Sequence, residues 1–245
     1  MRLTPLLLSV AAFAQSPTFD VASVKPSPTD KSDRIQINLG SFRNGVVTLT
    51  NTTLSECVQY AYGLVSEEQI DGPDWIRDRH LRVDITAKTA PNTPPAQVLL
   101  MTQTLLTERF RMELHREPKP VRHLELTVGK KPPKLPESQE GAPLRPGTYN
   151  RGRLFYDHQS MHNLVVLLSR QLKQPVLDLT GLTGFYDVHL EWAPDNPVPA
   201  ETDDAAPLPD IFQAVEEELG LHLESKKTPI DVIAIDRADQ VPVAN

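Results

Sequence analysis

The segment Phe185-Tyr186-Asp187-Val188-His189-Leu190-Glu191-Trp192 alternates strictly along its length. Tyr186, Val188, Leu190 and Trp192 fall on one face; Asp187, His189 and Glu191 fall on the other. A period of two means a strand with one buried face, because successive side chains point to opposite sides of a sheet. The run-in Thr180-Gly181-Leu182-Thr183-Gly184 supplies a turn. Helical patterns lie on both sides, so the segment is expected as the central strand of a small α+β unit. Leu81, Val83, Ile85 and Ala87 alternate with polar residues earlier in the chain and predict a second such strand.

Helices are expected around these strands. Thr53-Leu54-Ser55-Glu56 has the spacing of a capping box, and Leu54, Val58, Ala61 and Tyr62 follow at helical intervals up to Gly63. Val98, Met101, Leu105 and Leu106 mark a helix that runs to Phe110. Ser160 is placed to cap a helix carrying Leu164, Val165, Leu168 and Leu172, and Ile211, Phe212, Val215 and Leu219 mark another that Gly220 ends. Each half closes on an expected hairpin. One has its turn near Pro118–Pro120, the other at Lys226–Pro229.

The halves then share an order: strand, helix, short strand, alternating strand, helix, hairpin. Leu106–His115 takes the place of Val215–Glu224 as the end of a helix feeding a strand. The expected fold is α+β, with two tandem repeat units of βαββαββ type. In each, two helices cover one face of a mainly antiparallel sheet. The first unit, with extra N-terminal strands, spans 15–128 and the second 151–238. A Pro-rich linker (129–150) joins them and 239–245 form a tail.

Residues 1–14 hold one Arg, a short apolar run and Ala12-Phe13-Ala14, the pattern of a cleaved secretory signal peptide. The run is shorter than the roughly 20 residues that span a bilayer. An exported chain with Cys57 as its single cysteine has no internal disulfide, which suits the bacterial envelope. Export to the periplasm or the medium is therefore expected, with no transmembrane segment after cleavage. The net charge of −7 argues against a nucleic-acid partner. The charge is uneven: residues 108–134 are basic and 178–245 strongly acidic. This reads either as a basic docking face or as ordinary solvated surface.

Motifs for chemistry are missing: no His-Glu-x-x-His, no Gly-x-Ser-x-Gly, no phosphate loop and no dinucleotide fingerprint. His158 and His162, four apart near the third helix, have zinc spacing without an identified third ligand. No catalytic residue, metal site or cofactor is assigned. Candidate binding residues are Trp75, either an aromatic anchor or a core plug, and Asp178, Thr180, Asp187 and His189 in and beyond the glycine-punctuated turn. Asp178, Asp187 and Glu191 are the carboxylates available for acid–base work, but a cap or turn at Asp178 and outward strand positions at Asp187 and Glu191 are the favoured reading.

Several segments carry a family resemblance. They are Phe19–Pro26, Gly72-Pro73-Asp74-Trp75, Leu105–Phe110, Asp178–Asp187 and Leu219-Gly220-Leu221-His222-Leu223. The set resembles the soil-associated, mostly acidobacterial family of exported proteins of unknown function. The resemblance implies export and carries over no catalytic residue. A similar module is attached to penicillin-sensor-type membrane metallopeptidases, whose zinc motif and membrane helices this chain lacks. In element order the halves are also similar to the short N-terminal domains of secretins and TonB-dependent receptors, which dock partner proteins. The expectation is an uncharacterised exported bacterial protein, a non-catalytic envelope module binding a protein or cell-wall partner. Alternatives are a secreted hydrolase of polysaccharide or peptide, with Asp178, Asp187, Glu191 or His189 in its site, and a small-molecule-sensing periplasmic module.

Overall fold

A computed structural model describes residues 16–28, 38–139, 147–150, 152–194 and 208–243. The expected signal peptide lies outside the described residues, as do the start of a strand that the sequence Ile35–Leu39 predicts and most of a Pro/Asp/Ala-rich loop predicted at 193–207. The fold is mixed, with four α-helices among the described residues and sheets that are largely antiparallel. The chain divides into two compact units. One comprises 1–62, 75–112 and 238–245; the other comprises 63–74 and 113–237.

The first unit is built on an antiparallel sheet of four strands. These are β1 (Val21–Pro26), β2 (Asn38–Arg43), β3 (Val46–Thr52) and β5 (Val83–Lys88), in the order β1-β5-β3-β2. Val47, Leu49, Ile85 and Ala87 are buried, as their alternation requires. Helix α1 (Leu54–Tyr62) packs on β2, β3 and α2 (Pro95–Phe110). The expected capping box forms. The Glu56 N–H donates to Thr53 Oγ1 (3.2 Å), and the Thr53 N–H donates back to Glu56 Oε2 (2.8 Å). Gly63 ends the helix at φ +62°, a conformation that costs glycine little. Cys57 is fully buried in α1, and burial pushes its thiol pKa up to about 12. The tail returns to α2: the Asp239 N–H donates to the Phe110 carbonyl and the Val243 N–H to that of Arg109.

The second unit holds two sheets. A three-stranded antiparallel sheet has the order β10 (Phe185–Glu191), β8 (Arg153–Ser160), β7 (Thr148–Asn150). A four-stranded mixed sheet has the order β4 (Ile70–Asp71), β11 (Leu221–Arg237), β6 (Glu113–Val128), β9 (Val176–Asp178). Helix α3 (Met161–Leu172), capped by Ser160 Oγ at the Asn163 N–H (3.2 Å), packs on β8, β9 and β10. Helix α4 (Ile211–Ala214) packs on β10 and runs into a π-type turn (Val215–Leu219) that packs on β10 and β11. Leu154, Leu164, Leu168, Val188 and Leu190 belong to the core between them.

Two expectations are corrected. The first is β10, which is an edge strand rather than a central one. Alternation reports which face is buried, not how many strands flank it.

The second concerns the expected hairpins. Each is one long strand, and these strands pair with each other from Leu221↔Val128 to Arg237↔Glu113. Pro118, Pro120 and Pro229, read as turn residues, sit inside this ladder. The Leu124 N–H donates outward to Pro175 O of the β9 side (2.8 Å). Pairing alternates along a strand, so Pro118 and Pro120 also lie where the N–H points away from β11. Pro229, opposite Pro120, lies likewise on the outer edge of β11. No ladder bond is lost, which is where a sheet tolerates proline.

The sheets are mainly antiparallel, as expected, with two short parallel pairings. β4 pairs with β11 through Ile70↔Ile233, and β9 pairs with β6 through Val176↔Leu124.

Candidate functional site

The outer side of β10 and β8 gathers the expected polar residues of the alternating strand. One Asp187 oxygen, Oδ1, accepts from Ser138 Oγ (2.5 Å) and from the backbone N–H of His158 (3.0 Å). The register of β8 against β10 shifts there, leaving Asp157 and His158 opposite Asp187. His158 adopts φ +57°, a left-handed conformation in which histidine is more common than most non-glycine residues. Asp187 therefore clamps a β-bulge just before the Ser160 cap. His158 belongs to β8 and His162 to α3, so the spacing of four between them is not helical.

The bulge turns the His158 ring flat onto Phe185, with centroids 4.2 Å apart and planes within 3°. Phe185 remains 49% exposed. Next along the strand, His189 meets Phe155 edge-on at 5.4 Å, and His189 Nε2 lies 4.0 Å from Asp157 Oδ1. Glu191 pairs with Arg153 (3.3 Å). The result is an open face of two aromatic–histidine pairs set among carboxylates.

Segment 136–138 guards the outer edge of β10. The Asp187 N–H donates to Pro136 O, and the Ser138 N–H to Phe185 O. Further along, the Glu191 N–H donates to Glu218 Oε2 (3.1 Å). Partial burial raises the Glu218 carboxyl pKa, against the lowering effect of that hydrogen bond. Residues 134–138, within the described part of the Pro-rich stretch, are thus bonded to this unit; Leu135 is buried in its core.

The same constellation stands in the first unit. Asp84 Oδ1 accepts from Ser27 Oγ (2.5 Å) and from the backbone N–H of Asn51 (2.8 Å). Asn51 has φ +55°, at a register shift between β3 and β5 just before the Thr53 cap. What surrounds it differs. Arg82 donates to the Asn51 carbonyl and pairs with Glu56 (3.5 Å), both side chains largely buried. A charged, closed corner stands where the second unit has the open His158–Phe185 stack.

The other candidates lie elsewhere. Asp178 ends β9, and its Oδ1 accepts from the Thr180 N–H (2.9 Å) and hydroxyl (2.7 Å). Thr180 Oγ1 in turn accepts from the Leu182 N–H (3.1 Å), so both residues brace their own loop. Trp75 is half-buried in a short 3-10 turn of the first unit (Asp74–Arg77). Asp187 and His189 share the outward face of β10; Asp178 and Thr180 belong to the end of β9 and the loop after it. Among the described residues, no group of three or more His, Cys, Asp or Glu is arranged to hold a metal ion. No helix among them is long and apolar enough to cross a membrane.

Residues 55–238 match the family described as Protein of unknown function (DUF3738). The chain belongs to this family. No curated protein and no solved structure matches it. The matched DUF3738 region contains Asp84 and Asp187, and it leaves out Ser27 and Asn51 of the first constellation. The sequence reading missed Ser138, Phe155 and Phe185 as parts of the site. The available signal was the recurring pair Asp84-Ile85 and Asp187-Val188, together with a polar residue, Asn51 or His158, shortly before a Thr or Ser cap.

Proposed function

We propose that this protein is a non-catalytic binding module of the bacterial envelope, exported by its N-terminal segment, and that the β8–β10 face is its contact surface. The observation that carries this reading is the different fate of two like corners. Asp84 and Asp187 make the same bonds, so the clamp itself serves the backbone. Only the second corner turns a stacked aromatic pair to solvent. Exposed rings held rigid by their neighbours suit recognition, since little conformational entropy is lost on contact. The carboxylates of that face are engaged by Ser138, the His158 N–H and Arg153, which supports recognition over acid–base hydrolysis. The partner is a protein or a cell-wall polymer with apolar or sugar-ring faces.

We also propose that the two halves are diverged copies. The matched Asp clamps, the helix caps Thr53 and Ser160, and the reciprocal pairings Ile70↔Ile233 and Val176↔Leu124 support it.

Co-sedimentation with purified cell-wall sacculi and capture from detergent-solubilised envelope test the contact surface. Wild type should be retained and Phe185→Ala lost, with unchanged thermal melting. Equal retention of Phe185→Ala and His158→Ala would remove this face from the reading. Turnover of wall polysaccharide or peptide that Asp187→Asn abolishes would replace the reading with the hydrolase.

A further inference from the structure

We propose a second docking surface: the middle of the β6–β11 ribbon, where Arg122 and Lys227 form a cation pair that receives a short acidic segment of a partner protein. The two residues are directly opposite in the ladder, and both are exposed. They share the outward-bonding parity of Pro120 and Pro229, so they occupy a non-hydrogen-bonded pair, the type in which cross-strand side chains approach closest. Like charges placed so are destabilising. The neighbouring lysines of the ribbon are paired, Lys119 with Asp71 and Glu117 and Lys226 with Glu224. Arg122 and Lys227 make no ion pair with any described residue, in a chain of net charge −7.

The surroundings select the occupant. β4 and β9 pair only near the two ends of the ribbon, so its middle is two strands wide. Pro118, Pro120 and Pro229 remove outward N–H donors from both edges, so a partner cannot extend the sheet there by regular strand addition. Contact must come through side chains. Pro120 and Pro229, opposite each other and exposed, give an apolar step beside the two cations. Asp231 follows Pro229 on the same face of β11, and its charge disfavours a long polyanion there. One or two carboxylates on a peptide that also carries aliphatic side chains fit the charge and the step together.

The test uses the full mature chain, 15N-labelled and titrated with a blocked peptide of alternating glutamate and leucine. Saturable shifts confined to residues 118–123 and 225–230 are expected. Arg122→Glu should weaken binding about tenfold or more, while raising the melting temperature by about 1–2 °C because the introduced carboxylate would pair with Lys227. Arg122→Ala with Lys227→Ala should also lose binding and keep the fold. Phe185→Ala should bind the peptide normally, which separates this surface from the β8–β10 face. Absence of saturable shifts, equal competition by long-chain polyphosphate, or a lower melting temperature for Arg122→Glu would overturn the proposal.

Discussion

In the first unit the left-handed corner before the helix is Asn51, and Arg82 bonds its carbonyl. In the second the corner is His158, and Phe185 stacks on its ring. Both corners hang from one carboxylate oxygen shared by a serine hydroxyl and a backbone N–H. What is repeated solves a backbone problem: a bulged strand must turn into a capped helix, and its freed N–H must be satisfied. What differs is a side-chain choice made on that fixed frame. The first unit seals the corner with a largely buried ion pair; the second leaves it open and aromatic. A polar residue in a partly buried site is thus better judged against its counterpart than alone.

The comparison breaks most severely at its shared element. Asp84→Ala and Asp187→Ala should each cost about 2–3 kcal/mol in urea unfolding, since hydrogen bonds to a charged group are lost together. The Asn variants, which keep an acceptor oxygen, should cost less. If only one of the Ala variants is destabilised, the two clamps are not equivalent.

Next come the corners themselves. Asn51→Val and His158→Val should each lose about 1–2 kcal/mol, because a β-branched residue resists positive φ. Gly at either position should be tolerated better.

The side chains that differ should then behave differently. Arg82→Ala removes a hydrogen bond and the ion pair to Glu56, and should cost about 1 kcal/mol. Phe185→Ala, at an exposed position, should stay within about 0.5 kcal/mol of wild type.

The smallest effect concerns Glu218, which holds the β10 edge. Burial raises its folded pKa, so its contribution is fully present below the unfolded value and is lost as pH rises through the folded one. Glu218→Gln should therefore flatten the pH dependence of the melting temperature across that window, with a slight gain at neutral pH. An unchanged slope would assign the dependence to another group.

Local signals in the sequence carried most of the elements. The Thr53–Glu56 box, the Ser160 cap, the Gly220 stop and the alternation of Tyr186–Trp192 each encode structure within a few residues, and each is found. The failures share a cause. Pro118–Pro120 and Lys226–Pro229 resemble turns, and nothing nearby reveals that each proline faces away from a strand about 100 residues distant. The edge position of β10 was hidden likewise, because alternation carries no record of neighbours. At the site, Asp187 was legible as outward and polar. Its two donors, Ser138 and His158, come from other segments that the fold alone brings to it.

The ladder between β6 and β11 also sets the order in which this chain can become a protein. β11 is the last of the described strands to be made, yet it lies inside its sheet, with β4 on one side and β6 on the other. A nascent chain emerging N-terminus first can close β1, β3 and β5 early. β6 must wait with a long unpaired edge until more than 90 further residues have appeared. Such late, distant pairing slows folding and prolongs the exposure of strand edges. Pro118 and Pro120 are already present in the waiting strand and block pairing along its outer edge, while the edge that β11 will take keeps its N–H donors and stays open to neighbouring chains.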